Sequence, residues 1–300
     1  MMRPDPAASR CVRRGRLSCA MLLLALLVLT GCPPRDDGLI IDPPPQPPPE
    51  VMPTYSQLAA AQSARLASLE RVWARAKVHL RWVEEDKRRS ERGEARLLLK
   101  LDEPGLGLSI GSAFGDMMWA GYDAERFWLF DLENDKAWVG EAGSGRVLLI
   151  SGMPLPLDPD LTPLLLGFAP LDPGPVPPKV TWDHGMFRVD RPERNTRQWF
   201  YRDSLLPAKV ELIDSEGRAL VTCVLSDYGP FRGERAVAAG KPQVRVPQTV
   251  GVAVERRDVG ITLMLSGFSE SKRRFKDRAF EFESLVEIHE PNEVVNLAEP

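Results

Sequence analysis

Gly107-Leu108-Ser109-Ile110-Gly111 has the G-x-S-x-G spacing that sets a serine on a sharp strand-to-helix turn as a nucleophile. That chemistry needs a helix directly after the serine, then a carboxylate and a histidine downstream to manage its proton. The next residues, SAFGDMMWAGY, are broken by glycine and patterned as a strand, and spacing recruits neither His184 nor His289. The run GLGLSIGSAFG also lacks the GK[ST] ending and the helix of a phosphate-binding loop. It reads as a glycine-rich edge or hairpin loop. His79 falls on the polar side of an alternating segment, His184 in the turn DHG and His289 just ahead of Pro291, so none has metal-ligand neighbours. The expectation is a non-enzyme without metal or cofactor.

The cysteines carry a different chemistry. Arg3, Arg10, Arg13, Arg14 and Arg16 precede an apolar run from Leu17 to Leu29. A basic segment followed by a short apolar one is an export signal. Thirteen residues at about 1.5 Å of rise reach roughly 20 Å, short of a hydrocarbon core of about 30 Å. The run ends in Leu29-Thr30-Gly31-Cys32, which resembles the bacterial lipobox. The resemblance implies a diacylglycerol thioether on Cys32 and cleavage before it, with residues 1–31 as the signal. Two or three acyl chains hold a protein stably on a bilayer where one does not. Cys11 and Cys19 would leave with the signal, so Cys223 stays alone and no internal disulfide can form.

Of 39 Lys+Arg and 42 Asp+Glu in the chain, residues 1–31 hold five and one. The remainder has 34 against 41, a net charge of −7, which gives no reason to expect nucleic-acid binding. Residues 33–53 contain nine prolines in 21 positions and favour extended polyproline II. At about 3.1 Å per residue this tether spans roughly 65 Å. Residues 54–300 show no second low-complexity break and read as one domain, expected to be a monomer.

The elements emerge from periodicity. Tyr55, Leu58, Gln62, Leu66, Leu69 and Trp73 fall at helical spacing after Thr54, an N-cap residue type, and predict a helix over 55–73. Ala76, Val78, Leu80 and Trp82 then alternate with Lys77, His79 and Arg81, and Ala95, Leu97, Leu99 and Leu101 with Arg96 and Lys100. These two segments predict a hairpin joined by the charged connection EEDKRRSERGE. Strand candidates continue through LGLSI, MMWAGY, RFWLFD, KAWVG and RVLLI, pause at the helical DLTPLLLGF, and resume from KVTW to FEFES. Asp214-Ser215-Glu216-Gly217 supplies a turn between two of them. About twelve strands in succession, with two helical pieces, predict a mainly β antiparallel meander.

This pattern resembles the LolA/LolB-like superfamily of bacterial lipoprotein carriers and receptors. The features that carry it are AGYDAERFWLFDLENDKAWVG, DLTPLLLGF, LPAKVELIDSEGRALVTCVLSDY, VPQTVGVAVERRDVGITLMLSGF and PNEVVNLAEP, covering about residues 55–297. The resemblance implies a half-open β-barrel whose apolar inner face, covered by helices, accepts acyl chains or lipidated proteins. It also implies residence in the envelope, and Pro33 rather than Asp after the cysteine suits the outer membrane. Met117, Met118, Trp119, Phe127, Leu129, Leu263 and Leu265 are the strand positions that would line such a groove, although aromatic and methionine side chains fill cores first. Phe114, Met117 and Met118 have the chemistry of a receptor's exposed hairpin tip. The most basic window, Lys272 to Arg278, reads first as a charged hairpin connection and second as a contact for anionic headgroups.

Overall fold

The computed structural model describes residues 47–84, 86–112, 115–142, 148–150, 153–155, 159–172, 176–231, 244–254 and 259–297. Cys32, the apolar run, most of the proline tether and Phe114 lie outside the described residues. The described residues belong to one compact unit, Asp42–Pro300.

Helix α1 spans Tyr55–Leu66. Thr54 closes it with a capping box: its hydroxyl accepts from the Gln57 N–H, and Gln57 Oε1 accepts from the Thr54 N–H at 2.8 Å. The helix stops seven residues short of the expected end. Ala67 N–H closes back to the Ser63 carbonyl, and from Arg71 the period-two pattern wins the backbone for strand β1, Arg71–Glu84. Trp73 is therefore a strand residue, buried at a different surface from Leu66.

Strand β2, Lys87–Lys100, pairs with β1 over its whole length, from Arg71↔Lys100 to Glu84↔Lys87. EEDKRRSERGE is thus mostly strand rather than connection. Its composition has a physical reason. Pairing of β1 with the strand Val259–Ser269 ends at Arg81, and pairing of β2 with the strand Gly105–Ser112 ends at Glu94. Beyond those points the hairpin is two-stranded and wet on both faces, where charged side chains cost nothing to place.

The remaining strands are β3 Gly105–Ser112, β4 Gly115–Tyr122, β5 Arg126–Asp131, β6 Lys136–Glu141, β7 Leu148–Ile150, β8 Met153–Leu155, β9 Val180–Asp183, β10 Met186–Arg191, β11 Thr196–Tyr201, β12 Pro207–Ile213, β13 Ala219–Ser226, β14 Gly229–Pro230, β15 Arg245–Val246, β16 Thr249–Val254, β17 Val259–Ser269 and β18 Glu293–Asn296. Helix α2 is Leu161–Leu165 and α3 is Phe282–His289. Against about twelve expected, eighteen strands are described, and fourteen of them form one sheet, in the order β18-β6-β5-β4-β3-β2-β1-β17-β16-β13-β12-β11-β10-β9. Every pairing in it is antiparallel except β18 with β6. The chain enters at the centre with β1, meanders out to β6, crosses to the far edge at β9, and meanders back to close on β1 through β17. Among the described residues the two edges do not pair, so the sheet is open.

Two further expectations are corrected. The glycine-rich GLGLSIG is neither an edge nor a loop but β3, held between β2 and β4. Its glycines have a packing role: a Cβ on Gly107 would lie 3.2 Å from the Ala279 carbonyl oxygen, and one on Gly105 would lie 3.2 Å from the Phe280 ring. Bare backbone lets the 277–280 turn lie on the strand. FEFES is not a strand either. Phe282, Leu285 and Val286 take helical spacing in α3 and bury against Trp128 and Phe130. The turn at Asp214 forms as its composition indicates: Oδ1 accepts from the Glu216 and Arg218 N–H groups at 2.9 Å, and Gly217 takes φ 76°.

Candidate functional site: the apolar inner face

Because side chains alternate along strands, cross-strand partners share a face. One row runs Trp138, Leu129, Ala120, Leu108, Leu97, Ala74 through successive pairings. A second runs Ile261, Val252, Cys223, Val210, Gln198, Val189 across the other half. Ala76, paired with both Ala95 and Leu265, joins the two. A single apolar face therefore crosses the sheet, and most of it is one buried cluster.

Short helices and turns cover this face. Helix α1 places Tyr55, Leu58 and Ala59 on Phe187, Val189 and Phe200 at the far-edge half. Leu165, Leu166 and Phe168, in and after α2, join the central cluster. Polar bonds fasten the cover. Tyr55 Oη donates to the Asp172 carbonyl at 2.6 Å, and Cys223 Sγ donates to the Leu165 carbonyl at 2.9 Å. Gln62 Nε2 donates to the Leu205 carbonyl. Arg65 donates to Gln62 Oε1 at 3.0 Å, to the Arg245 carbonyl at 3.2 Å and to the Gly167 carbonyl. Burial lowers the pKa of the Arg65 guanidinium, and no described carboxylate pairs with it. Burial also raises the Cys223 thiol and the Tyr228 hydroxyl well above their ordinary ranges. Beside α1 a cleft of about 380 Å³ opens, lined among others by Gln62, Arg65, Ser68, Ser204, Leu206 and Val244. That volume lies at the small end of the roughly 300–1,000 Å³ typical of ligand pockets.

The residues singled out in the sequence separate by face. Phe127, Leu129, Leu263 and Leu265 lie on the inner face, 3%, 2%, 8% and 4% exposed, so in this conformation the cover and core exclude solvent from them. Met118 packs half-buried against the same cluster. Trp119 packs on the opposite face beside α3, 6.2 Å from the His289 ring, with Trp128 and Phe130. Met117 is half-buried near the start of β4. The polar clamps of the cover were missed from sequence. The one signal was Gln62, an amide sitting on an otherwise apolar helical stripe.

The nucleophile pattern dissolves in the structure. Ser109 sits mid-strand, 1% exposed, accepting from Arg96 Nε at 3.1 Å. His184 occupies its turn with φ 48° and contacts Asp183, while His289 is the last residue of α3 and packs against Trp119 and Phe130. Among the described residues no three Asp, Glu, His or Cys gather as metal ligands, and no helix is long and apolar enough to cross a membrane.

The described residues thus form an open, mainly antiparallel sheet with one continuous apolar face and a few short helices packed on it. No protein-family model and no curated protein sequence matches the chain. Among solved structures it is similar to a LolA superfamily protein from Nitrosomonas europaea, at 14% identity and a TM-score of 0.47 over 77% of this chain and 99% of that one. It is also similar to a DUF1329 family protein from Desulfovibrio piger, at 11% identity and a TM-score of 0.47 over 77% and 97% of the two chains. A third is a domain described as that of an outer membrane lipoprotein-sorting protein from Vibrio parahaemolyticus, at 11% identity and a TM-score of 0.42 over 72% and 91%.

Proposed function

We propose that this chain is a non-enzymatic lipoprotein of the bacterial envelope, anchored through Cys32, that receives acyl chains or the lipidated ends of other proteins on its inner face. The outer membrane, seen from the periplasm, is the bilayer the residue after Cys32 suits. One observation carries the reading. The apolar face spans the sheet, yet its cover is short helices fastened through Tyr55, Gln62, Arg65 and Cys223 to backbone carbonyls. Such bonds each contribute only about 0.5–1.5 kcal/mol net, and burial of Leu58, Leu165 and Phe168 adds about 1.5–3 kcal/mol each, so the cover parts from the sheet only as a minor state. A methylene chain would then replace the cover's own leucines against Leu129, Leu263 and Leu265.

A second reading is a structural or interaction module whose core is permanently filled. The near-complete burial of Phe127 and Leu129 favours it. Lipid extraction of the purified full chain followed by mass spectrometry separates the two. Non-covalent acyl lipid at a fixed ratio to protein supports the first. Protein free of lipid that also takes up no fluorescent fatty acid leaves the second.

A further inference from the structure

The window Lys272 to Arg278 does not join two strands of a hairpin: it links β17 to α3, and its side chains are mostly exposed. Its 3₁₀ turns, Lys272–Arg274 and Asp277–Phe280, are laid on the outer face of β1–β3. Arg274 stacks 3.7 Å above the Trp73 ring, Arg71 sits over Phe275, and Lys100 lies 4.5 Å from the centre of the Phe280 ring. Phe275 and Phe280 stack within 7° of parallel, and Gly105 and Gly107 leave room for the segment. Cation–π contacts and bare backbone thus fix a basic turn to the middle of the sheet.

The outer row of β1 continues the charge. Arg75 and Lys77 are exposed on the same face as Trp73, and Lys77 pairs across to Met264, itself 45% exposed. Lys272, Arg273, Arg274 and Lys276 are exposed beside them. Some cations of this face are neutralised: Arg96 holds Asp116 through two bonds of 2.7 and 3.0 Å, and Arg71 pairs with Asp102 at 3.3 Å. Lys100 reaches Glu103 at 3.9 Å, and Glu94 lies across the strand pair from Lys77, but Arg75, Lys77, Lys272, Arg273, Arg274 and Lys276 make no ion pair among the described residues. The far half of the same outer face is different, because there Arg188, Arg197 and Lys209 are matched to Asp183, Asp190 and Glu211. A chain of net charge −3 therefore gathers six unmatched cations on one half of its outer face.

We propose that the outer face of β1 with residues 272–276 is a docking surface for anionic phospholipid headgroups, which lays the tethered domain against its own bilayer. The chemistry is complementary: cations without ion-pair partners, around an exposed methionine, would face phosphates around an apolar interior. The proposal rests on the anchored reading for its geometry. A tether of roughly 65 Å keeps the domain within reach of the surface, so each weak charge contact acts at high local concentration.

The test uses the full chain, purified in mild detergent and reconstituted into vesicles of phosphatidylcholine alone or with phosphatidylglycerol. Amine-reactive labelling of individual lysines is read by peptide mass spectrometry. Labelling of Lys77, Lys272 and Lys276 is expected to fall about ten-fold in the anionic vesicles and to recover at about 0.5 M salt, where screening is strong. Lys179, exposed near the far edge, should label equally in both. In the variant Lys272→Glu/Arg273→Glu/Lys276→Glu, whose changes touch only exposed side chains, Lys77 should lose its protection. Equal labelling of Lys77 in the two lipids, or protection that survives the triple change, overturns the proposal. Flotation with neutral vesicles reports the anchor separately, since an anchored chain floats with either lipid.

Discussion

At the residue scale, Cys223 shows how placement decides chemistry. Its thiol is fully buried on the inner face and donates to the Leu165 carbonyl, and burial pushes its pKa upward. A neutral thiol is a poor nucleophile. Iodoacetamide at pH 8 should therefore leave Cys223 unmodified in the folded protein and alkylate it completely in denaturant, as read by intact mass. The linked stability has a definite sign. A raised folded pKa contributes fully below the unfolded value of about 8.5, and the contribution falls away as pH climbs past it. Leu129 is the second test. It is 2% exposed amid the central cluster, so Leu129→Ala should cost about 2–5 kcal/mol in chemical denaturation, whereas a residue lining an open groove would cost far less. Alternation in RFWLF made plain that Phe127 and Leu129 share one face and Trp128 and Phe130 the other. Which face looks inward was not legible, because α3 makes both sides of β5 apolar.

At the scale of elements, local pattern was read well where one face is dry and the other wet, and poorly elsewhere. Strand β1 and the Ala95–Lys100 half of β2 were visible by alternation, whereas the charged half of β2, wet on both faces, read as a connection. The helix was overextended to Trp73 because Leu66, Leu69 and Trp73 have helical spacing by coincidence: Leu66 and Leu69 bury with the inner cluster and Trp73 on the outer face. FEFES read as a strand because its phenylalanines alternate, yet Phe280 packs under Lys100 and Phe282 against Trp128. Two separate contacts imitated one periodicity. The cover over the inner face was even less legible, since part of its hold is polar and links residues far apart in sequence. Arg65 joins α1 to the Gly167 and Arg245 carbonyls. Arg65→Met keeps the aliphatic bulk and removes those donors. Hydrogen exchange of amides in 55–66 should speed up about ten-fold, the equivalent of roughly 1.4 kcal/mol of lost local stability, while β2 and β3 amides stay protected. Uniform acceleration across the sheet would mean instead that Arg65 supports the whole fold.

At the scale of the whole molecule, a meander was legible but its ordering was not. Successive strands pair locally, so β1 to β6 could be ordered from sequence. The closure of β1 on β17, and the jump from β6 to β9, depend on pairings nearly two hundred residues apart in the first case. The anchor is tested on the whole chain. Cys32→Ala should move the protein out of the membrane fraction or leave an uncleaved precursor, seen as altered mobility on gels; unchanged partitioning and mobility would rule out lipid at Cys32.

Ligand entry is the last consequence of this architecture. Leu129, Leu263 and Leu265 are shut off from solvent, so the acyl chain proposed above would reach them only after the cover parts. When binding requires a minor open state, the observed rate cannot rise indefinitely with ligand, because opening itself becomes limiting. A fluorescent fatty acid mixed with the purified chain should give rates that level off with concentration, and Arg65→Met should raise that plateau about ten-fold by releasing α1. Lys100→Glu, on the outer face above Phe280, should leave the plateau where it is. A rate that keeps climbing linearly in wild type and does not respond to Arg65→Met would place the probe on an exposed surface such as the 380 Å³ cleft, with the inner face a permanent core.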